Sequence, residues 1–327
     1  MRTDPARIDV VALGELVIDL IPMAQPDGTL LFSPSPGGAP GNVAAGIARL
    51  GRTAAMISKV GPGSLGDLLI ATLARAGVAT AGVARAATEP TALAVVSVSA
   101  SGDRDFTLYR TGCADASLSV AELPPQALAA CRILHVGSLS LATPLSAAAQ
   151  RQAITQARAS GARVSADVNF RPALWRDPEA MRATGIEVVA NADIVKVSAE
   201  ELVHLTGKAE IDAGAAALWH PGLQLLAVTR GEAGAVLFTP QDRIEIAGFP
   251  ATVVNTVGCG DAFMAALLAG ILEQEPAPLD REALLRIGRV ACAAGAVMAG
   301  LPGAMASMPR RAEIDALMKN QRGGDPR

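Results

Sequence analysis

The chain is poor in several things at once, and each shortage removes a class of function. Its 327 residues include two Trp, one Tyr and six Phe, too few for the stacking platforms of single-stranded nucleic-acid binders. Charge of neither sign dominates: 28 Lys and Arg meet 31 Asp and Glu, so no overall basic field draws in nucleic acid or an anionic membrane. The four cysteines, at 113, 131, 259 and 292, show no CxxC spacing, which argues against structural zinc and against a disulfide framework. His135, His204 and His220 share no metal-binding spacing and read as structural. Apolar runs near 262–272 and 290–301 fall short of the roughly 18 residues of a membrane span. Met1 to Pro5 leads straight into a strand region carrying Glu15 and Asp19, unlike a signal peptide. A soluble, cytoplasmic protein with small-molecule partners is expected, without nucleic-acid or membrane partners. A GxxxxGK[ST] phosphate loop is missing too, so a nucleotide site would have to be built another way.

Half of the residues are hydrophobic and 18% are charged, enough for a sizeable core. Short apolar runs at 8–13, 54–60, 133–136, 162–167, 194–197 and 225–229 alternate with helical patterns. That alternation predicts a mainly parallel sheet covered by helices on both faces. No break suggests a second independent domain; one domain spans 1–318, with a flexible tail over 319–327. The exception to the alternation lies at 92–98 and 106–110, two β-like runs around Ala100 to Arg104. They read as an antiparallel hairpin and a candidate lid, with Tyr109 and Arg110 at its end.

Ligands of parallel sheets bind beyond the carboxyl ends of the strands, and four such loops carry polar residues. They are Asp167-Val168-Asn169-Phe170-Arg171, Ser198-Ala199-Glu200-Glu201, Thr229 to Gly234, and Asn255 to Phe263. In the last, Gly258 and Gly260 stand where a β-like run, 252–254, turns into a helix, with Asp261 in its first turn. Unpaired N–H groups at a helix start favour an anion. An acid beside them suits either a base in phosphoryl transfer or a partner for the helix dipole. A second glycine loop, Gly37-Gly38-Ala39-Pro40-Gly41-Asn42, precedes another helix, with Asn42 near the N-cap. Those glycines admit either a small polyol or an ordinary turn. Asp19, among apolar neighbours, is either a ligand for hydroxyls or a turn acceptor. The letters of Gly61 to Gly66 satisfy GxGxxG, yet Pro62 stiffens the turn and no acid follows at the distance a dinucleotide ribose requires.

These loops resemble the ribokinase-like, or pfkB, family of sugar kinases. Both family signatures are present, Gly37–Asn42 and Thr256–Phe263, in a resemblance running from about residue 8 to 310. Fructokinases are the nearest in kind, through Gly14–Asp19, Phe106–Arg110 and Val197–Leu202; the loop at 167–175 resembles 2-keto-3-deoxygluconate kinases equally well. The resemblance implies a three-layer α/β/α sandwich with a small β lid from segments near 14–35 and 91–112, and a homodimer formed through that lid. It implies ATP and Mg2+ as cofactors. Asp261 would be the base, with the N–H groups of Gly258, Cys259 and Gly260 as the anion hole. Asp19, Gly37, Gly38, Asn42, Tyr109, Arg110, Asn169 and Arg171 would hold the sugar, the two arginines and Tyr109 serving a carboxylate if the sugar is an acid. Ser198, Thr229, Gly231, Gly234 and Gly260 would line the nucleotide, with Glu201 supporting magnesium through water. Asn255 stands where most relatives carry an acid associated with a monovalent cation, which weakens the case for K+. A nucleoside kinase and a non-catalytic sugar sensor are the remaining alternatives.

Overall fold

Alternate residues of the first strand enter different cores. Val10 and Ala12 of β1 (Ile8–Leu13) pack into one apolar cluster, and Val11 and Leu13 into another, as expected of a strand covered on both faces. The computed structural model describes residues 7–23, 29–98, 104–170, 172, 175 and 177–322. After β1 come β2 (Val17–Met23), β3 (Leu31–Gly37), α1 (Ala39–Arg49), β4 (Ala54–Val60), α2 (Ser64–Ala76) and β5 (Val78–Arg85). Then follow β6 (Ala92–Val98), β7 (Arg104–Tyr109), α3 (Pro125–Ala130), β8 (Cys131–Gly137), α4 (Pro144–Ala159), β9 (Arg163–Asp167), α5 (Pro178–Ala190) and β10 (Ile194–Ser198). The chain continues through α6 (Ala199–Thr206), α7 (Ile211–Leu218), β11 (Leu225–Thr229), β12 (Ala235–Phe238), β13 (Arg243–Ile246), α8 (Cys259–Gln274), α9 (Arg281–Ala299) and α10 (Arg311–Arg322).

Nine strands form one sheet in the order β13-β12-β11-β10-β9-β8-β1-β4-β5. It is parallel from β5 to β11 and antiparallel at β12 and β13. One face is covered by α1, α2, α8, α9 and α10, the other by α3 to α7. From β1 the strand order runs outward in both directions, so the β1/β8 boundary is the switch point at which ligands of such sheets bind. A second sheet of four strands, β3-β2-β6-β7, stands apart from the first. None of the described helices is long and apolar enough to cross a membrane.

The three-layer expectation and the β lid are both met. Two strands escaped the sequence reading. In β3, Pro34 and Pro36 suggest a loop, but the strand pairs only with β2, and an edge strand tolerates proline. The alanine-rich β5 is likewise an edge strand. The β-like run at 252–254 is no strand, and α8 begins at Cys259, earlier than its apolar pattern indicates. The tail expected from Lys319 is helical to Arg322; 323–327 lie outside the described residues.

Candidate active site

A cavity of about 530 Å³ opens at the switch point, between the carboxyl ends of the strands and the small sheet. Glu15 beyond β1, Asp19 on β2, Leu139 beyond β8, Asp167 ending β9 and Lys196 on β10 all reach it. Leu108 and Ala94 of the small sheet cover it from the lid side. Across from them stand Thr256 to Gly258, Gly260 and Asp261 at the start of α8.

The two glycine loops meet here, for a reason legible in packing. Helix α8 is buried nearly all round and rich in alanine, so a neighbour can come close. A Cβ on Gly46 of α1 would lie 2.6 Å from the Ala265 Cβ of α8; only glycine permits that crossing. One helical turn earlier on each helix stand Asn42 and Asp261. Asn42 Nδ2 donates to Asp261 Oδ2 at 2.7 Å, in a buried bond across 219 positions of sequence. Asn42 is therefore not the N-cap. Gly38 takes that position at φ 108, the backbone N–H of Asn42 bonds the Gly38 carbonyl, and Pro40 occupies the first turn, where its missing N–H costs nothing. This frees the Asn42 side chain for the cavity. Gly37 lets the Asp19 carboxylate lie against the backbone, since a Cβ there would meet Asp19 Oδ2 at 2.6 Å.

At α8 the N-cap is Gly258, left-handed at φ 83. The helical ladder opens with Ala262 N–H to the Gly258 carbonyl, so the N–H groups before it stand outside the ladder. Cys259 N–H makes a long 3.4 Å approach to Thr256 O, and its side chain is turned from the cavity, where burial pushes its thiol up to about 11. Asn255, buried, is a bridge: Nδ2 donates to the Gly303 carbonyl at 2.9 Å and Oδ1 accepts Val257 N–H at 3.1 Å.

The expected nucleotide residues fall along the neighbouring strand ends. Ser198 of β10 is the cross-strand partner of Thr229 on β11, and the β11–β12 turn supplies Gly231 and Gly234. Ser198 caps α6: its Oγ accepts Glu201 N–H while Glu201 Oε2 accepts Ser198 N–H at 2.8 Å. Glu201 Oε1 accepts Phe170 N–H at 2.7 Å, tying the β9 and β10 loops together. Burial pushes the Glu201 carboxyl up, against the pull of Lys196. Among the described residues no three His, Cys, Asp or Glu side chains gather as a metal site. Each Glu201 oxygen nevertheless keeps a lone pair that a water could use.

Two expected sugar contacts fall elsewhere. Strand alternation sends Leu108 into the cavity and leaves Tyr109 59% exposed. Arg110 is 5% exposed and does not line the cavity. Its Nε donates to Asp115 Oδ2 at 2.5 Å and its Nη1 to the Leu139 carbonyl. Arg171 lies outside the described residues; Asn169, at φ 44, does line the cavity. Conversely, Glu15, Asp167 and Lys196 line the cavity without having been singled out as contacts. Glu15 Oε1 accepts Ala39 N–H at the start of α1. A charged residue interrupting an apolar strand, as Lys196 interrupts β10, was the available signal.

Residues 7–311 match the description of the pfkB family of carbohydrate kinases. The chain is 36% identical to Fructokinase-2 of Solanum habrochaites over 317 residues, covering 95% of this chain and 96% of that one. It superposes on the crystal structure of a fructokinase from Xylella fastidiosa with bound ATP at a TM-score of 0.89 and 32% identity, covering 96% and 99% of the two chains. A fructokinase from Vibrio cholerae O395, bound to fructose, ADP and calcium ion, gives a TM-score of 0.84 and 31% identity over 95% and 99%.

Proposed function

The chain belongs to the pfkB family of carbohydrate kinases, and from that premise we propose that it is a fructokinase, transferring the γ-phosphoryl group of ATP to a primary hydroxyl of fructose. The observation that carries the reading is the Asn42–Asp261 bond across the cavity. It fixes a carboxylate at a glycine-built helix start, which is where a base and an anion cradle are needed together.

In this reading Asp261 takes the hydroxyl proton as the sugar oxygen attacks the γ-phosphorus. The N–H groups of Gly258, Cys259 and Gly260 face the charge that develops on the transferring group, with no reorganisation at the moment of reaction. Asp19, Asn42, Asn169 and the Gly37–Gly38 backbone hold the sugar hydroxyls, while Ser198, Thr229, Gly231 and Gly234 line the nucleotide. Glu201 would support, through water, a magnesium ion bound with ATP, which would supply charge neutralisation on the phosphates. Leu108 and Ala94 on the lid keep water from the γ-phosphorus and so limit hydrolysis.

A neutral sugar is favoured over a sugar acid. Lys196 is the only cation among the described lining residues, and it is paired with Asp167, while Glu15, Asp19, Asp167 and Asp261 give the cavity a negative balance. The cations expected to hold a carboxylate are outside the cavity or, for Arg171, outside the described residues. Coupled ADP release measured over fructose, 2-keto-3-deoxygluconate, ribose and nucleosides tests this. The highest kcat/KM is expected with fructose; a higher value with the keto-deoxy acid would replace the substrate but leave the chemistry.

A further inference from the structure

Lys196 belongs to neither glycine signature, and the transfer scheme does not use it. On β10, Ile194 packs into the core shared with α1 and α8, while Val195 and Val197 face the opposite core. Two residues on from Ile194, the Lys196 side chain shares the α8 face. Its Nζ donates to both oxygens of Asp167, its cross-strand partner on β9, at 2.9 and 2.8 Å. Both side chains are buried. An ammonium has three donors, and the third N–H of Lys196 has no acceptor among the described residues.

The position of that ammonium is unusual for a plain counter-ion. A Cβ built on Gly260 would lie 3.0 Å from Nζ, so the charge rests against the first turn of α8, and a side chain there would crowd it. Lys196, Gly258, Gly260 and Asp261 line the same cavity. Burial works against the ammonium, but Asp167, Glu201 and Asp261 outweigh it and hold the group above the usual lysine range. A buried cation of this kind is costly unless its surroundings repay the lost hydration, and here they keep it charged.

We propose that Lys196 is a catalytic residue whose uncommitted N–H donates to a non-bridging oxygen of the transferring phosphoryl group, with Asp167 holding the ammonium in place. The inference rests on the kinase reading. In the step, the bond from sugar oxygen to γ-phosphorus forms and the bond from γ-phosphorus to the bridging oxygen of ADP breaks. The hydroxyl proton passes to Asp261, the electron pair leaves with ADP, and Lys196 keeps its own proton throughout.

The test compares Lys196→Met with the wild type by steady-state kinetics and by calorimetric binding of ADP and of a β,γ-methylene analogue of ATP. Lys196→Met is expected to lower kcat by about 10² to 10³, the range seen on removing one donor to developing charge. Affinity for the analogue should fall about tenfold, while ADP, which lacks the γ-phosphoryl group, should bind within twofold of wild type. Because a lone buried Asp167 could impair folding, the double variant Lys196→Met/Asp167→Asn removes both charges and should show the same split between ADP and analogue. A kcat within threefold of wild type, or equal losses for ADP and analogue, overturns the proposal. The binding arm needs no sugar. Failure of the kinase reading would instead appear as a wild-type protein that phosphorylates none of the sugars.

Discussion

Lys196 with Asp167 and Arg110 with Asp115 are both buried cation–carboxylate pairs, yet they differ in what lies on their open side. The first borders the cavity and has a glycine turn of α8 against its ammonium. The second does not line the cavity: Arg110 bonds Asp115 and the Leu139 carbonyl at the foot of the lid. Arg110 Nη2 and Asp115 Oδ1 stay buried without a partner among the described residues, and burial pushes Asp115 upward despite the guanidinium beside it. The residue types are nearly interchangeable on paper. What separates the two pairs is whether a face is left to the cavity.

The contrast is sharpest where the chemistry is. Asp261→Asn keeps the Asn42 contact possible but removes the proposed base, and kcat is expected to fall about 10³-fold, roughly 4 kcal/mol in barrier. An unchanged thermal transition would accompany it; near-normal turnover would remove the cavity from the mechanism. Arg110→Met should do the opposite. Leaving Asp115 buried without its counter-charge is expected to cost about 3 kcal/mol of stability, read by denaturant unfolding, with kcat per folded molecule within threefold. If turnover collapses while stability holds, the two pairs are not different in kind.

An effect seen only on lowering the pH probes the floor beneath the first pair. His135 is fully buried, bonds Ser165 Oγ and lies below Asp167; burial lowers it from 6.5 to about 4. A depressed histidine stabilises the fold above its unfolded pKa of about 6.5, and that contribution drains away as pH falls towards 4. Between pH 7 and 4 the wild type should therefore lose about 3 kcal/mol more than His135→Gln, by denaturant titration at each pH. Equal losses would mean that water reaches the floor of the pair.

The sequence reveals one side of this comparison better than the other. Strand and helix periodicity predicted the layers, and the glycine loops marked both halves of the site, because Gly37, Gly38, Gly258 and Asp261 are local signals. Arg110 reads from the sequence as a sugar contact and Lys196 does not, because the facing of a side chain depends on which strands become neighbours. The β9–β10 register that sets Lys196 opposite Asp167 is not written in either strand. Nor is the Gly46–Ala265 crossing legible until α1 and α8 are known to touch. Prolines hid β3 for a related reason: its edge position excuses them.

The Asn42–Asp261 bond also says something about when the molecule becomes competent. Its two ends are separated by 219 positions, and contacts so far apart form only after the cost of closing the intervening loop has been met. During synthesis the Gly37–Asn42 loop emerges long before the helix that carries the acid. No amino-terminal fragment can orient that acid, however well its own strands have paired. Turnover is thus a late event in the life of the chain, and its appearance certifies that the first and last quarters have met.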